Sequence, residues 1–333
     1  MARLKRADCN SPGITRRRAG KGFAYLDENG ERIADRDVVE RIKGLVIPPA
    51  WDEVWICPKE NGHIQATGFD DAGRKQYLYH PKWSESRSSR KFREMLDFAS
   101  RLPALRKSVD ADLDPSDPGR PSVLACGVRL MDLGHFRIGS ERYAAENETY
   151  GVATILRKHV SPGKRSDEVL FDYIAKGSLE RSISIRDGKI RGISELLLRR
   201  RSGPEDFLAY KEGRRWIDVT TDDLNGYIKA HAGEQFSAKD FRTWNGTVLA
   251  AVALADGEMP SSARGRDRRI KQAVERVAEE LGNTPAVARS SYIDPRLLDL
   301  FRNGHTISAT SRGRVATKGL SAVEKQVLEL LKD

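Results

Sequence analysis

The spacing of apolar residues divides the chain into a strand-rich first part and a helix-rich second part. From residue 23 to residue 80, short apolar segments alternate with turn-forming pairs such as Asn61-Gly62, a hairpin signal. The segments with the composition of strands are 52–57, 63–67 and 76–80. One short helix is predicted over 35–43. The first part is therefore predicted to be a small, mostly β domain.

Beyond a polar, Ser- and Arg-rich bridge over 84–90, the apolar residues recur at helical spacing. Phe241, Trp244 and Val248 follow Ser237, a residue type that caps helices. Two predicted strands, 169–175 and 182–186, interrupt the helices and meet at a turn near Lys176. The predicted fold class is α+β, with a small β-rich N-terminal domain followed by a mainly α-helical domain that carries a small inserted β-sheet.

The distribution of charge predicts a separate N-terminal segment and indicates a class of partner. Residues 1–22, with the run Arg16-Arg17-Arg18, are predicted to form a mobile basic N-terminal arm; the two domains then cover 23–88 and 89–333. The chain has 58 Lys and Arg against 48 Asp and Glu, a net charge of +10, with an excess of basic residues both in the part up to residue 88, which includes the arm, and in the part after it. This balance favours a long polyanion as partner, although a solvated basic surface is the common alternative.

Several function classes are disfavoured. Cys9, Cys57 and Cys126 are few and widely spaced, which predicts neither a disulfide framework nor a zinc site and fits a reducing cytoplasm. No apolar run approaches membrane-spanning length. The chain also lacks the G-x-x-x-x-G-K-[ST] loop and the Gly-rich dinucleotide fingerprint, so neither a cofactor nor ATP-driven phosphate chemistry is expected.

Transesterification of a phosphodiester without a metal or cofactor requires a nucleophile, fixed cationic donors and a general acid. The chain offers Tyr292, just ahead of a well-signalled helix, together with Arg137, Arg242, Lys176 and Asn283. Each has an ordinary structural explanation when it is considered alone: a core tyrosine, a helix-end arginine, a solvent-facing arginine, a turn lysine and a helix cap. Their combination is what favours chemistry.

In combination these stretches resemble the type IB DNA topoisomerases of the poxvirus and bacterial kind, which are relatives of the tyrosine recombinases. The resemblance spans residues from about 23 to 300, in the order expected for the family. The matching stretches are Phe136-Arg137-Ile-Gly139, Arg142-Tyr143, Glu146-Asn-Glu-Thr149-Tyr-Gly151, Phe171-Asp-Tyr-Ile-Ala-Lys176, Ser237-Ala-Lys239-Asp-Phe-Arg242-Thr, Asn283-Thr-Pro285 and Ser291-Tyr292-Ile293. The segment from Thr67-Gly68 to Gln76-Tyr77-Leu-Tyr79 is similar to the family's DNA-reading strand.

The resemblance implies a role for each candidate. Tyr292 is expected to form a 3′-phosphotyrosyl link and to free a 5′ hydroxyl. Arg137 and Arg242 are expected to hold the scissile phosphate, and Lys176 to act as general acid, a role that Arg137 is placed to share. Asn283 stands where the poxvirus enzymes carry histidine, and an amide donates a hydrogen bond but supplies no titrating proton.

The resemblance also implies a set of DNA contacts. Gln76 is suited to a bidentate contact with adenine, and Tyr77 and Tyr79 are expected to face DNA rather than pack against a neighbouring strand. Four further residues are expected to touch backbone phosphates near the cleavage site: Ser140, Arg142, Tyr143 and Lys239. The basic cluster Arg199–Arg201, with Lys211, Arg214 and Arg215, either adds affinity or is a solvated face.

The predicted protein is thus a cytoplasmic, nucleoid-associated monomer that clamps duplex DNA and relaxes it without ATP or divalent cations. Two alternatives stay open. A tyrosine recombinase shares the active-site plan but acts as a tetramer on paired sites, and usually carries a helical domain where this chain has a β domain. A DNA-binding protein that has lost catalysis is the other alternative, which Asn283 keeps open.

Overall fold

The computed structural model describes residues 3–308 and 319–332, and the chain divides into two compact units after Lys91. The N-terminal unit is built on a five-stranded antiparallel sheet with strand order β2-β1-β3-β4-β5. Its elements are β1 (Ile14–Ala19), β2 (Gly22–Leu26), α1 (Arg36–Gly44), β3 (Asp52–Ile56), β4 (Ile64–Phe69) and β5 (Lys75–Tyr79).

One face of this sheet packs against α1. Val54, Ile56 and Ala66 are buried together with Ile42 of the helix. The helix begins where the sequence predicts it, because the Asp35 carboxylate accepts hydrogen bonds from the first free backbone amides. Because side chains alternate along each strand, those on the opposite face of β5 do not pack against this core.

Residues 14–19, predicted to belong to a basic arm, instead form β1 and pair with both β2 and β3. Arg16 explains how a basic run fits into a sheet. Its guanidinium donates to the carbonyl oxygens of Ile47, Pro48 and Trp51 at 2.6–3.2 Å and lies 4.2 Å from the centre of the Phe23 ring. Residues 1 and 2 of the predicted arm lie outside the described residues.

The second unit is mainly helical, and the predicted fold class is confirmed. Its helices are α2 (Pro81–Asp112), which begins before the boundary, α3 (Arg120–Gly134), α4 (Glu141–Asn147), α5 (Gly188–Arg199), α6 (Thr221–Ala232), α7 (Ala238–Leu254), α8 (Ala263–Leu281), α9 (Pro285–Ser291), α10 (Pro295–Arg302) and α11 (Ala322–Leu330). Its strands are β6 (Val160–Pro162), β7 (Glu168–Ala175) and β8 (Leu179–Arg186), which form one antiparallel sheet, and β9 (Ala209–Glu212) and β10 (Arg215–Asp218), which form another.

The prediction of a polar bridge between the domains over 84–90 is wrong, because these residues belong to α2. The apolar face that anchors this helix lies further along it, with Phe92, Met95, Phe98 and Leu102 all buried. A helix fixed by its second half can continue through a polar segment, since packing of the apolar face outweighs the weak preference of serine for turns and caps. Among the described helices, none has both the length and the apolar character needed to cross a membrane.

The last helix, α11, is tied into the core by a buried network of charges. Glu324, which also forms a capping box with Ser321, accepts from Arg106 at 2.8 Å and from the Trp244 indole at 3.1 Å. Arg106 makes a second ion pair with Asp132, at 2.7 Å. The two ion pairs connect α2, α3 and α11, and the indole hydrogen bond adds α7, so the C-terminal helix is an integral part of the helical unit. Residues 309–318, which precede it, lie outside the described residues.

Candidate active site

Arg137 follows a helix end that the sequence specifies locally. α3 stops at Gly134, and His135 adopts the left-handed conformation at φ 54° that commonly ends a helix. The next side chain, Phe136, is buried against Phe171 and Tyr173, with ring centres 5.1 and 5.8 Å away. Because Phe136 is anchored in the core, the side chain of the next residue, Arg137, points away from that core.

A close backbone approach fixes the segment after Arg137. The amides of Val152 and Ala153 donate to the carbonyls of Arg137 and Ile138, each at 2.8 Å. A Cβ atom on Gly151 would lie 2.6 Å from the Arg137 oxygen, which is closer than real Cβ contacts. Gly151 is therefore required for the two segments to meet, and this explains the glycine in the stretch quoted above.

Arg137 is held by the residues that follow α8. This helix ends at Gly282, whose φ of 59° suits glycine. One terminal nitrogen of Arg137 donates to the Gly282 carbonyl at 3.0 Å and to the side-chain oxygen of Asn283. Asn283 thus contacts one of the two candidate phosphate-binding arginines.

Arg242 lies on α7 and is only 5% exposed. Its terminal nitrogens donate to the His135 carbonyl at 2.6 Å and the Leu281 carbonyl at 2.7 Å. Burial and the nearby Arg137 charge lower the pKa of Arg242 to about 10, while Tyr292 opposes the shift. The guanidinium therefore stays cationic at neutral pH, and it presents a fixed positive charge.

Tyr292 is half-buried at the C-terminal end of α9, with its ring centre 5.1 Å from the guanidinium carbon of Arg242. The Tyr292 carbonyl accepts a hydrogen bond from the Thr247 hydroxyl at 3.2 Å. A Cβ atom on Gly246 would lie 2.7 Å from the same carbonyl oxygen. Two residues of α7 therefore set the position of the tyrosine backbone, and neither was predicted from the sequence.

Lys176 occupies the turn between β7 and β8, as predicted. Its side chain is exposed, and the ammonium nitrogen lies 5.3 Å from the centre of the Tyr143 ring. Tyr143, 38% exposed on α4, and the exposed Lys239 at the start of α7 were both predicted to contact DNA. Lys176 is thus brought to the same surface as these residues.

The candidates surround one open cleft of about 280 Å³. Its walls include Tyr292, both arginines and Lys176 among the predicted catalytic residues, and Ser140, Tyr143 and Lys239 among the predicted DNA contacts. Asn283 does not line the cleft but reaches it through its bond to Arg137. Arg142 is exposed and pairs with Glu146 at 2.8 Å. Four basic side chains around one cleft are suited to an anionic, phosphate-bearing substrate.

The predicted contacts of the N-terminal unit divide between two faces of β5. Tyr77 and Tyr79 are 45% and 38% exposed, and their rings are nearly parallel with centres 6.1 Å apart. Gln76 lies on the other face with Leu78, and its amide donates to the Asp70 carboxylate at 2.9 Å. The two tyrosines are free to stack on a ligand, whereas a base contact from Gln76 requires release of Asp70.

Two family models match the chain. The catalytic core of eukaryotic DNA topoisomerase I matches residues 80–300, and the N-terminal domain of bacterial DNA topoisomerase IB matches residues 22–70. Together these matches cover both units and confirm the resemblance predicted from the sequence.

Several viral DNA topoisomerases are also similar to this chain. DNA topoisomerase 1B of Acanthamoeba polyphaga mimivirus is 31% identical over 300 residues, which cover 87% of this chain and 88% of the relative. DNA topoisomerase 1B of vaccinia virus (strain Copenhagen) is 22% identical over 250 residues, which cover 74% of each protein. DNA topoisomerase 1 of rabbit fibroma virus is 22% identical over 310 residues, which cover 88% of this chain and 93% of the relative. The chain belongs to the type IB family of DNA topoisomerases.

Proposed function

We propose that this topoisomerase relaxes supercoiled duplex DNA through a covalent intermediate on Tyr292. The phenolic oxygen attacks the scissile phosphorus, a bond forms between them, and the bond to the 5′ oxygen breaks. The phenol loses its proton and the 5′ oxygen gains one. The broken strand then rotates about the intact strand, and attack of the 5′ hydroxyl reverses the reaction. The observation that carries this proposal is the position of the Tyr292 ring against the buried Arg242 guanidinium, inside a cleft lined by basic side chains.

The two arginines are placed to stabilise the charge that develops on the phosphate oxygens. Both are fixed by hydrogen bonds to backbone carbonyls, so little reorganisation is needed during the reaction. Within the part of the chain that the structure describes, the buried Arg242 Nε and Asn283 Nδ2 have no hydrogen-bond partner. Phosphate oxygens are acceptors of the kind that would satisfy such donors.

Lys176 is the group proposed to protonate the leaving 5′ oxygen. It is exposed at a hairpin turn beside the cleft, where a side chain can reach a substrate without a change in the core. Fixed cationic side chains supply the charge stabilisation that a metal ion provides in other phosphoryl transferases. The phosphotyrosyl bond conserves the energy of the phosphodiester. The reaction is therefore proposed to proceed without ATP or a divalent cation.

The DNA contacts are proposed to come from both units. Tyr77 and Tyr79 offer two exposed, parallel rings, and Ser140, Tyr143 and Lys239 line the cleft where the cleaved phosphate would lie. Arg142 and Gln76 would exchange their present carboxylate partners for DNA. The net charge of +10 favours binding to the DNA backbone. The proposed working state is a cytoplasmic monomer closed around one duplex of the nucleoid.

The test is relaxation of supercoiled plasmid in excess EDTA without ATP. Wild-type protein should relax the plasmid and leave a covalent protein–DNA adduct after denaturation, whereas Tyr292→Phe should do neither. Tyr150→Phe is a matched control, because Tyr150 lines the same cleft but has no proposed chemical role. Loss of the adduct in both variants would contradict the assignment of the nucleophile.

The same assay separates the alternatives. Binding without an adduct in the wild-type protein would indicate a DNA-binding protein that has lost catalysis. Strand exchange between two DNA molecules, with little relaxation, would indicate a recombinase.

A further inference from the structure

We propose that Arg181 is a positioning residue for the cleavage step. It attaches the β7–β8 hairpin, which carries Lys176, to the C-terminal end of α8. This inference rests on the proposed function and assigns a role to a residue that lies outside the cleft. Arg181 is on β8, and both of its terminal nitrogens bind backbone carbonyls of α8, those of Glu279 at 2.8 Å and Glu280 at 2.7 Å.

The end of α8 organises three arginines at once. Four consecutive carbonyls, 279–282, each accept a hydrogen bond from an arginine side chain: Arg181 binds the first two, Arg242 the third and Arg137 the fourth. The last carbonyls of a helix lack partners within the helix and carry partial negative charge, so they are good acceptors for guanidinium groups. Arg181 thus shares its anchor with the two arginines proposed to hold the phosphate.

Arg181 crosses a gap between these elements. An open cleft of about 360 Å³ is lined by β8 and by the ends of α3 and α8, including His135, Arg181, Glu279 and Glu280. Close packing of apolar side chains therefore does not hold β8 against the end of α8 at this point. A bidentate guanidinium with well-formed hydrogen bonds can fix the separation instead.

The strand pairing transmits this anchor to Lys176. Arg181 pairs with Tyr173, and two residues closer to the turn Ala175 pairs with Leu179, so Lys176 extends from the anchored end of the hairpin. Burial raises the pKa of Tyr173 to about 12, and the charges of Arg181, Arg242 and Arg137 oppose the rise. The Tyr173 hydroxyl therefore lies within electrostatic reach of all three guanidinium groups, which places the hairpin and the phosphate-binding arginines in one assembly.

The experiment compares two leaving groups in single-turnover cleavage of a short duplex. A 5′ oxygen must be protonated as it leaves, whereas a 5′-bridging sulfur leaves readily as a thiolate, because a thiol has a pKa of about 8.5. Arg181→Ala should slow cleavage of the oxygen substrate by about tenfold to a hundredfold, the cost of a small misplacement of a reacting group. The sulfur substrate should be cleaved at close to the wild-type rate. Lys176→Ala should show the same pattern.

Arg186→Ala is the matched control, since Arg186 is on the same strand but pairs with Glu168 at 3.8 Å and makes no hydrogen bond to α8. It should cleave both substrates like the wild-type protein. Arg181→Lys should recover part of the lost rate, because an ammonium can donate to one of the two carbonyls. If Arg181→Ala does not fold, as judged by thermal unfolding, Arg181→Lys and Arg181→Gln take its place in the comparison.

Equal slowing of both substrates, or no slowing of either, would overturn the role of Arg181 while leaving the proposed function intact. Failure of the wild-type protein to cleave either substrate would instead contradict the proposed function.

Discussion

The Arg137 guanidinium donates a hydrogen bond to the side-chain oxygen of Asn283. The same nitrogen binds the Gly282 carbonyl, so the arginine is fixed by two adjacent acceptors. An amide oxygen can serve this purpose without titrating, and it leaves the amide nitrogen to donate elsewhere. Asn283 is therefore well suited to hold Arg137 in place, which is a separate task from supplying a proton.

Replacement of Asn283 should separate these tasks. Asn283→Ala is expected to slow single-turnover cleavage by about tenfold to a hundredfold, because a hydrogen bond to a charged group is worth about 1.5–3 kcal/mol. Asn283→Asp should slow it further, since a carboxylate would neutralise Arg137 and repel the phosphate. A wild-type rate in Asn283→Ala would mean that the Gly282 carbonyl alone fixes the arginine.

Replacement of Gly246 should slow cleavage strongly. The Cβ atom of Gly246→Ala would lie 2.7 Å from the Tyr292 carbonyl and 3.0 Å from its Cβ, so the nucleophile must shift. We expect a loss of about a hundredfold in cleavage rate, as for other small misplacements of reacting groups. The measurement is single-turnover cleavage together with thermal unfolding.

Gly226→Ala is the control for this substitution. Gly226 is also helical, in α6, but a Cβ atom there would meet nothing within 4 Å. The change should leave cleavage unaltered and stabilise the protein by up to about 1 kcal/mol, as alanine does in a helix interior. A similar loss of activity in both variants would show that the effect is not specific to Tyr292.

The buried Glu324 should contribute strongly to stability. In Glu324→Ala, Arg106 keeps only Asp132 as a carboxylate partner in this network, and the Trp244 indole loses its acceptor. Removing one partner of a buried ion pair costs about 3–5 kcal/mol, which urea unfolding would detect. Glu329→Ala, an exposed change on the same helix, should stay within about 0.5 kcal/mol of the wild-type protein. Equal stability of the two variants would mean that α11 is not held by this network.

His135 should make the protein sensitive to acid. Burial, with the Arg242 and Arg181 charges, lowers its pKa to about 4, and its Nδ1 is buried without a partner among the described residues. In the unfolded chain His135 binds a proton near pH 6.5, whereas in the folded chain it stays neutral down to about pH 4. The free energy of unfolding therefore falls as the pH drops from about 6.5 to about 4.

The matched variant is His135→Asn, since asparagine tolerates the positive φ of this position. The free energy of unfolding of the wild-type protein, relative to this variant, should fall by about 1 kcal/mol per pH unit within that window. Parallel pH profiles for the two proteins would contradict the assignment.

The sequence predicts elements well where the signal is local. Asp294 caps α10 and Pro295 occupies its first position, and Gly282 ends α8, because cap chemistry depends on a few neighbouring residues. Strand β1 was missed because the Arg16 side chain is satisfied only by carbonyls some 30 residues away. The strands β9 and β10 were also not predicted.

The candidate site follows the same division. Arg137, Lys176, Arg242 and Tyr292 were identified because they carry distinctive side chains in recognisable stretches, and the structure brings them to one cleft. The groups that hold them in place were not predictable in this way. Most are backbone carbonyls, such as those of residues 279–282, and every residue type provides a carbonyl.

The ion pairs between Arg106 and Glu324 also bear on how the protein is made. A ribosome synthesises Arg106 long before Glu324, and until then the arginine has only Asp132 as a carboxylate partner in this network. α7, which carries Arg242 and supports Tyr292, meets α11 through Trp244. The nascent chain is therefore expected to lack a settled active site, for cleavage and religation alike, until residue 324 has been added.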